Sequence, residues 1–192
     1  MTKRSAREER ELHEYIASAV VMSPQRWKDP LWRPSYRAVL VGEANPLGGD
    51  PRAALFPKPI GSAGWRLCHK VLGLSPFEYC DQFHRVNLCP VGWCLADARV
   101  RAVEVAVEAY AHDWDPSASP VPLVLLGAKV AQAFRVPYEP FTVGSWLAPG
   151  GAFSVRYASL PHPSGLCRAW NVSGAYERAR GLVLGLTKPS KT

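Results

Sequence analysis

Two kinds of apolar pattern alternate along the chain, one typical of strands and the other of helices. Short apolar runs rich in β-branched residues predict four strands, at residues 38–42, 84–89, 122–127 and 152–160. Segments with apolar residues three and four positions apart predict helices at residues 6–21, 62–72, from Asp97 onward, at 128–134, and from about Leu166 or Asn171 to Leu186. Strands that alternate with helices predict an α/β fold, a three-layer α/β/α sandwich around a central, mainly parallel four-stranded sheet.

Capping residues support two of these helices. Ser5 with Glu8 fits a capping box, and Ser62 is suited to begin the helix that follows it. Residues 1–35 are therefore predicted to form an N-terminal helix and a proline-rich connector, and residues 187–192 a flexible tail. A chain of 192 residues fits a single domain, which we expect to span residues 1–192.

Composition narrows the class of partner. The chain has 23 Lys and Arg against 16 Asp and Glu, a net charge of +7, which favours a polyanionic partner such as nucleic acid. It has no long apolar run and no apolar centre near its first residue, so we expect a cytoplasmic protein with no membrane partner. The five cysteines form no Cys-x-x-Cys pair, so we assign no metal and no cofactor.

Polar residues lie at or just after the ends of three of the predicted strands. Glu43 and Asn45 come after the first, Asn87 lies near the end of the second, and His162 follows the fourth between two prolines. Ligands of open α/β sheets bind beyond the carboxyl ends of the strands, and flanking prolines restrict the backbone that carries the imidazole. Each residue also has a purely structural alternative: a loop hydrogen bond for Asn87, a buried imidazole for His162, and a solvated acid for Glu43.

Five segments of the chain, in order, resemble motifs of the uracil-DNA glycosylase superfamily. They are "GEANPLG" at 42–48, "IGSAGWRL" at 60–67, "RVNLCP" at 85–90, "LLGAKVAQAF" at 125–134 and "HPSG" at 162–165. The resemblance covers residues 38–170 and is strongest to the branches with GEAPG and HPS motifs, which carry an iron–sulfur cluster. It implies an enzyme that flips an altered base out of DNA and hydrolyses its N-glycosidic bond, leaving an abasic site.

The same resemblance implies roles for the residues at the strand ends. His162 would donate a hydrogen bond to the leaving base, and either Glu43 or Asn45 would orient the attacking water. The side-chain amide of Asn87 would read the edge of the base, because it has both a donor and an acceptor. Phe56 would stack on the base, and the first motif would place Gly42 and Ala44 beside it.

Contacts to DNA are expected from two glycine-containing loops. The residues implied in phosphate and backbone binding, or in filling the vacated base stack, are Ser62, Ser164, Gly165, Leu166 and Arg168. Trp170 is a further candidate for the wedge that enters the stack, and for both Leu166 and Trp170 the structural alternative is burial in the packing of the last helix.

The sequence departs from the family pattern at three places, and each limits which family properties can be expected of this chain. The N-terminal cysteine pair of the iron–sulfur branches is absent, so no cluster is expected. An extra residue in the first motif leaves open whether Glu43 or Asn45 orients the water, with Asp50 as a third option behind these two. Pro59 and Ile60 replace the usual stacking aromatic, which makes Phe56 its substitute and leaves the identity of the base open, with uracil as the default.

We therefore expect a monofunctional DNA glycosylase that acts as a monomer on damaged duplex or single-stranded DNA, in base excision repair. One alternative is a catalytically silent relative that only binds nucleic acid, and another is a glycosylase specific for a bulky modified base of foreign (phage) DNA. A hydrolase of free nucleosides is a third, which predicts little dependence of binding on salt. The sequence has no G-x-S-x-G elbow, which disfavours a serine hydrolase.

Overall fold

One sheet of five strands organises the computed structural model, which describes residues 36–44, 51–110 and 120–187. The strands are β1 (Ala38–Ala44), β2 (Phe83–Cys89), β3 (Leu123–Leu126), β4 (Thr142–Leu147) and β5 (Ser154–Leu160). Their order across the sheet is β2-β1-β3-β5-β4, and every neighbouring pair is parallel except β4 with β5. The predicted α/β class and mainly parallel sheet are confirmed, but the sheet has five strands, not the predicted four.

The additional strand, β4, lies at an edge of the sheet. Only Trp146 among its residues is fully buried, and Val143 and Leu147 are exposed. Gly144 interrupts its apolar pattern because the ring of Tyr157 on β5 occupies the space of a side chain at that position. An edge strand that buries a single side chain has neither the continuous apolar run nor the regular alternation that predicts strands.

Helices cover both faces of the sheet. They are α1 (Ala63–Trp65, continued by the π-helical segment Arg66–Leu72), α2 (Pro76–Gln82), α3 (Leu95–Tyr110), α4 (Ala128–Phe134) and α5 (Ala175–Leu186). Short 3-10 turns occur at Pro51–Ala53, Pro149–Gly151 and Arg168–Asn171. None of the helices in the described ranges combines the length and the apolar character that crossing a bilayer requires.

The predicted helices agree with this set in part. Those at 62–72 and 128–134 are confirmed, and the helix predicted from Asp97 is present but begins at Leu95. Ser62 caps α1 by accepting a hydrogen bond from the Trp65 amide at 3.1 Å. The C-terminal helix begins at Ala175 after a 3-10 turn, so neither predicted start was right. The helix predicted at 6–21, the connector up to residue 35 and all but the first residue of the tail lie outside the described residues.

Helix α2 lies in a segment to which the apolar pattern assigns no element. Ser75 and Glu78 form a full capping box, with the Ser75 amide donating to the Glu78 carboxylate at 2.9 Å. Most side chains of this seven-residue helix are at least partly exposed, and only Tyr79 is fully buried. A helix this short, with one buried side chain, lacks the repeating apolar face that predicts longer helices.

The core consists of two apolar layers, one on each face of the sheet. Helices α3 and α4 cover one face, and helices α1, α2 and α5 cover the other. Residues Val39, Leu40 and Val41 of β1 are at most 1% exposed, because successive side chains enter opposite layers. The three-layer arrangement therefore explains the unbroken apolar run from which this strand was predicted.

Candidate active site

Four parallel strands end at the same edge of the sheet, and each carries or precedes a residue with a possible chemical role. Glu43 lies near the end of β1 and Asn87 near the end of β2. Gly127 directly follows β3, and His162 comes two residues after β5. The carboxyl ends of parallel strands are where open α/β sheets bind ligands, so this edge is the candidate site.

Gly127 allows the Glu43 carboxylate and the His162 imidazole to approach each other. It is buried, with φ of +100°, a conformation that glycine adopts without strain. A Cβ atom at this position would lie 3.1 Å from the Cβ of His162 and 3.3 Å from Oε1 of Glu43. The structure therefore brings two of the predicted catalytic residues close to one position that only glycine suits.

A lysine that sequence reasoning did not assign to the site completes this group. The ammonium of Lys129, in the first turn of α4, lies 3.1 Å from Oε2 of Glu43. It also lies over the indole ring of Trp93, 5.7 Å from the ring centroid. We call Glu43, Lys129 and His162 the charged cluster. Lys129 is 86 positions from Glu43 in the chain. The only sequence signal for this lysine was its position just after a predicted strand.

The environment of His162 favours its neutral form. Burial lowers the pKa of this imidazole below its usual value of 6.5. The carboxylate of Glu43 opposes this effect by raising the pKa, and the ammonium of Lys129 adds to it by lowering the pKa. At neutral pH the ring is therefore uncharged, with one nitrogen that donates a hydrogen bond and one that accepts.

The backbone around His162 is held by two side chains from other parts of the fold. The indole Nε1 of Trp170 donates a hydrogen bond to the carbonyl oxygen of His162 at 2.9 Å. Arg66, in the π-helical segment, donates to the carbonyl of Pro163 at 3.4 Å, and its guanidinium packs close to Gly165. Trp170 is buried at 6% exposure, so its suggested role as a DNA wedge is wrong and its structural alternative holds.

Asn87 faces Gly42 across two paired strands. The two residues are register partners of β1 and β2, and a side chain at Gly42 would clash with Oδ1 of Asn87. This oxygen is buried, and no donor in the described part of the chain reaches it. A Cβ at Gly42 would also lie 3.2 Å from Leu55. We call Gly42, Leu55 and Asn87 the amide site.

The unpaired oxygen is unusual for a folded protein. A buried acceptor without a partner costs about 1–3 kcal/mol, and most buried polar atoms are paired for that reason. An amide oxygen beside a glycine, at the ligand-binding edge of the sheet, is suited to accept a hydrogen bond from a ligand that enters there.

Phe56 lies next to the amide site on a tightly held turn. Its ring is 42% exposed, and the Arg85 guanidinium lies over it at 5.5 Å from the centroid. Arg85 also donates a hydrogen bond to the carbonyl of Ala54 at 3.1 Å, and Tyr79 donates one to the carbonyl of Leu55 at 3.1 Å. These contacts hold the turn that carries a partly exposed aromatic residue directly after Leu55 of the amide site.

The predicted DNA-contacting residues occupy two loops at this edge. Ser62 accepts from the Trp65 amide and donates to the Phe56 carbonyl at 3.4 Å, so its hydroxyl is committed to the fold. The residues that follow His162 are more accessible, with Ser164 half-buried and Gly165, Leu166 and Arg168 exposed. Leu166 is 93% exposed, as a residue that inserts into a base stack must be.

Two predicted site residues are placed differently from the rest. Ala44 is half-buried at the end of β1, where it pairs with Cys89 of β2. Asn45, the second candidate for orienting water, lies outside the described residues, as does Asp50. Among the residues that are described, no three His, Cys, Asp or Glu side chains are grouped so that they could hold a metal ion.

Comparisons with protein-family models, curated proteins and solved structures found no match to this chain. The chemistry of the charged cluster and the amide site is therefore the basis on which a function can be assigned.

Proposed function

We propose that this protein is a monofunctional DNA glycosylase, which hydrolyses the N-glycosidic bond of uracil or another altered base flipped out of DNA. The observation that carries the proposal is the packing of the Glu43 carboxylate and a neutral His162 imidazole across Gly127. The Glu43 carboxylate can accept a proton from water, and the neutral His162 can donate a hydrogen bond to a leaving group. Both residues lie at the carboxyl ends of the parallel strands.

The proposed reaction balances with water as the only co-substrate. The bond between C1′ of the sugar and the base nitrogen breaks, and its electron pair leaves with the base. His162 donates a hydrogen bond to the base oxygen on which negative charge develops. Water forms the new bond to C1′ and passes its proton to Glu43. We assign the water to Glu43 because Oε1 of its carboxylate faces the same glycine as His162.

Recognition of the base is assigned to the amide site. The unpaired Oδ1 of Asn87 accepts a hydrogen bond from an N–H on the base edge, and the amide nitrogen donates to an adjacent base oxygen. The partly exposed ring of Phe56 offers a stacking surface beside it. This arrangement supports a pyrimidine that carries both an N–H and a carbonyl on one edge.

Binding of DNA is supported by charge and by the accessible loop after His162. The net charge of +7 provides attraction to phosphates, and Leu166 and Arg168 are exposed near the imidazole. The residue resemblance to uracil-DNA glycosylases points to the same partner. A flipped base entering the site would place the vacated stack close to this loop.

The proposal is tested by incubating the full chain with oligonucleotides that carry one uracil, hypoxanthine, xanthine, thymine mismatch or bulky modified pyrimidine. Alkaline cleavage then reveals abasic sites. The expected result is cleavage at one or a few of these bases by the wild-type protein, and cleavage at least about 100-fold slower by His162→Ala prepared in parallel. His69→Ala, at another half-buried histidine that contacts Trp65, is the matched control and should retain activity. Binding to DNA without cleavage at any base would instead favour a silent relative.

A further inference from the structure

Lys129 is the one member of the charged cluster to which the proposed reaction gives no role. Its ammonium lies 3.1 Å from Oε2 of Glu43, and the two side chains are 53% and 21% exposed. It projects from the first turn of α4, two residues after Gly127. A surface ion pair between flexible side chains is usually worth little, so its value here depends on what it does to the glutamate.

The geometry gives the two carboxylate oxygens of Glu43 different surroundings. Oε2 is bound by Lys129, whereas Oε1 lies toward Gly127, where the Cβ of His162 is also packed. The ring of Trp93 lies under the lysine ammonium at 5.7 Å and restricts where that charge can sit. One oxygen is thus held and the other faces the reacting centre.

We propose that Lys129 is a positioning residue, which fixes the Glu43 carboxylate through Oε2 so that Oε1 is turned toward the attacking water. This inference rests on the proposed function, since it assigns the lysine to the same reaction.

The ion pair also affects the pKa of His162. Within the described part of the chain, the charged groups that act on His162 are Glu43 from β1 and Lys129 from α4, and they have opposite effects.

Loss of the lysine charge should therefore change the titration of His162. Burial and the ammonium lower the pKa of the imidazole and the carboxylate raises it, so removing Lys129 takes away one of the two lowering effects and leaves burial opposed by the carboxylate. The pKa of His162 should move up in Lys129→Met, and the histidine should become charged at a higher pH. A charged imidazole has no acceptor nitrogen and places a cation beside the sugar, which develops positive charge itself.

The ion pair also bears on whether Lys129 attacks the sugar as a nucleophile. The nitrogen of an ammonium group in an ion pair with a carboxylate has no lone pair. It cannot form a bond to C1′ without first losing a proton. Water held on Oε1 meets no such obstacle. The positioning role therefore predicts that no covalent link forms between Lys129 and DNA.

Three variants of the full chain test the proposal. Lys129→Met removes the charge and keeps most of the side-chain length, and Lys129→Arg restores a cation. Lys70→Met is the matched control, because Lys70 is also exposed and also lies 5.7 Å over a tryptophan ring, that of Trp65, and it belongs to neither the charged cluster nor the amide site. The readouts are the titration of His162 by NMR and single-turnover base release as a function of pH.

We expect Lys129→Met to raise the pKa of His162, to slow base release by roughly tenfold to 100-fold, and to shift the acid limb of the rate profile to higher pH. Lys129→Arg should restore the titration and most of the rate, and Lys70→Met should match the wild type. Removing the lysine should leave DNA affinity at fixed salt nearly unchanged.

Three results would overturn the proposal. One is an unchanged His162 titration and rate in Lys129→Met, and another is a weaker affinity with a shallower salt dependence and a normal rate at saturating DNA, which would make Lys129 a phosphate contact. The third is a borohydride-trapped adduct that Lys129→Met abolishes. The NMR titration needs no substrate, so failure of the lysine assignment is distinguishable from absence of base release by the wild-type protein.

Discussion

The charged cluster and the amide site both lie at the end of β1, on opposite faces of the strand, and they differ in how complete they are. The Glu43 carboxylate has a bound cation and a packed imidazole beside it. The Asn87 oxygen is buried, and none of the described residues donates to it. The charged cluster is thus paired within the described part of the chain, whereas the amide site has an acceptor that, under the proposed function, is paired by the bound base.

Strand geometry explains how one segment serves both groups. Gly42 and Glu43 are consecutive residues of β1, so their side-chain positions lie on opposite faces of the strand. On one face the glycine leaves room for Asn87, and on the other the glutamate reaches Gly127 and Lys129. A ligand that contacts both groups must therefore lie across the end of the strand, as a flipped nucleotide with its base on one side and its sugar on the other would.

The largest expected effect comes from removing the hydrogen-bonding groups themselves. Asn87→Ala or His162→Ala should each slow single-turnover base release by about 100-fold or more, because each removes a contact to the base that strengthens as charge develops. Affinity for DNA should change little, since neither side chain is expected to contact phosphate. Filter binding and quenched-flow assays measure the two quantities separately, and a parallel loss of both would argue against these roles.

A smaller effect is expected from filling the space beside the amide. Gly42→Ala places a methyl group against Oδ1 of Asn87 and should slow base release by roughly tenfold or more, through displacement of the amide. Gly181→Ala, on α5 where no atom lies within 4 Å of the added carbon, is the matched control and should keep the wild-type rate. A wild-type rate in Gly42→Ala would separate the amide site from catalysis.

The smallest effect concerns stability and tests the charged cluster alone. The pKa of His162 is lower in the folded state than its usual 6.5, so the unfolded chain binds a proton more readily. The free energy of unfolding should therefore fall as pH drops below about 6.5 toward the folded pKa. Urea unfolding of the wild type and His162→Gln at several pH values measures this, and the variant should lose less stability. An equal loss in both would assign the pH dependence to other groups.

The parts of the fold that were predicted correctly are those with strong local patterns. The unbroken apolar run of β1 and the cap at Ser62 each depend on residues close together in the chain. The edge strand β4 and the short helix α2 bury too few side chains to produce such a pattern. Local periodicity therefore identified the central elements and missed the peripheral ones.

The candidate site divides in a similar way. Position at or just after the end of a predicted strand was sufficient to single out Glu43, Asn87 and His162. The residues that support them were missed because their partners are distant in sequence: Lys129 is 86 positions from Glu43, and Arg85 is 31 positions from the Ala54 carbonyl to which it donates. Only the folded chain brings such pairs together.

The central claim is that the amide site and the charged cluster act on the same base. A double-mutant cycle on single-turnover base release, with Asn87→Ala, His162→Ala and the combined variant, tests this claim most directly. If both residues stabilise one leaving base, the combined variant should lose clearly less rate than the product of the two single losses. A rate loss in the combined variant equal to the product of the two single losses would show that the two residues act independently. That result would contradict the account.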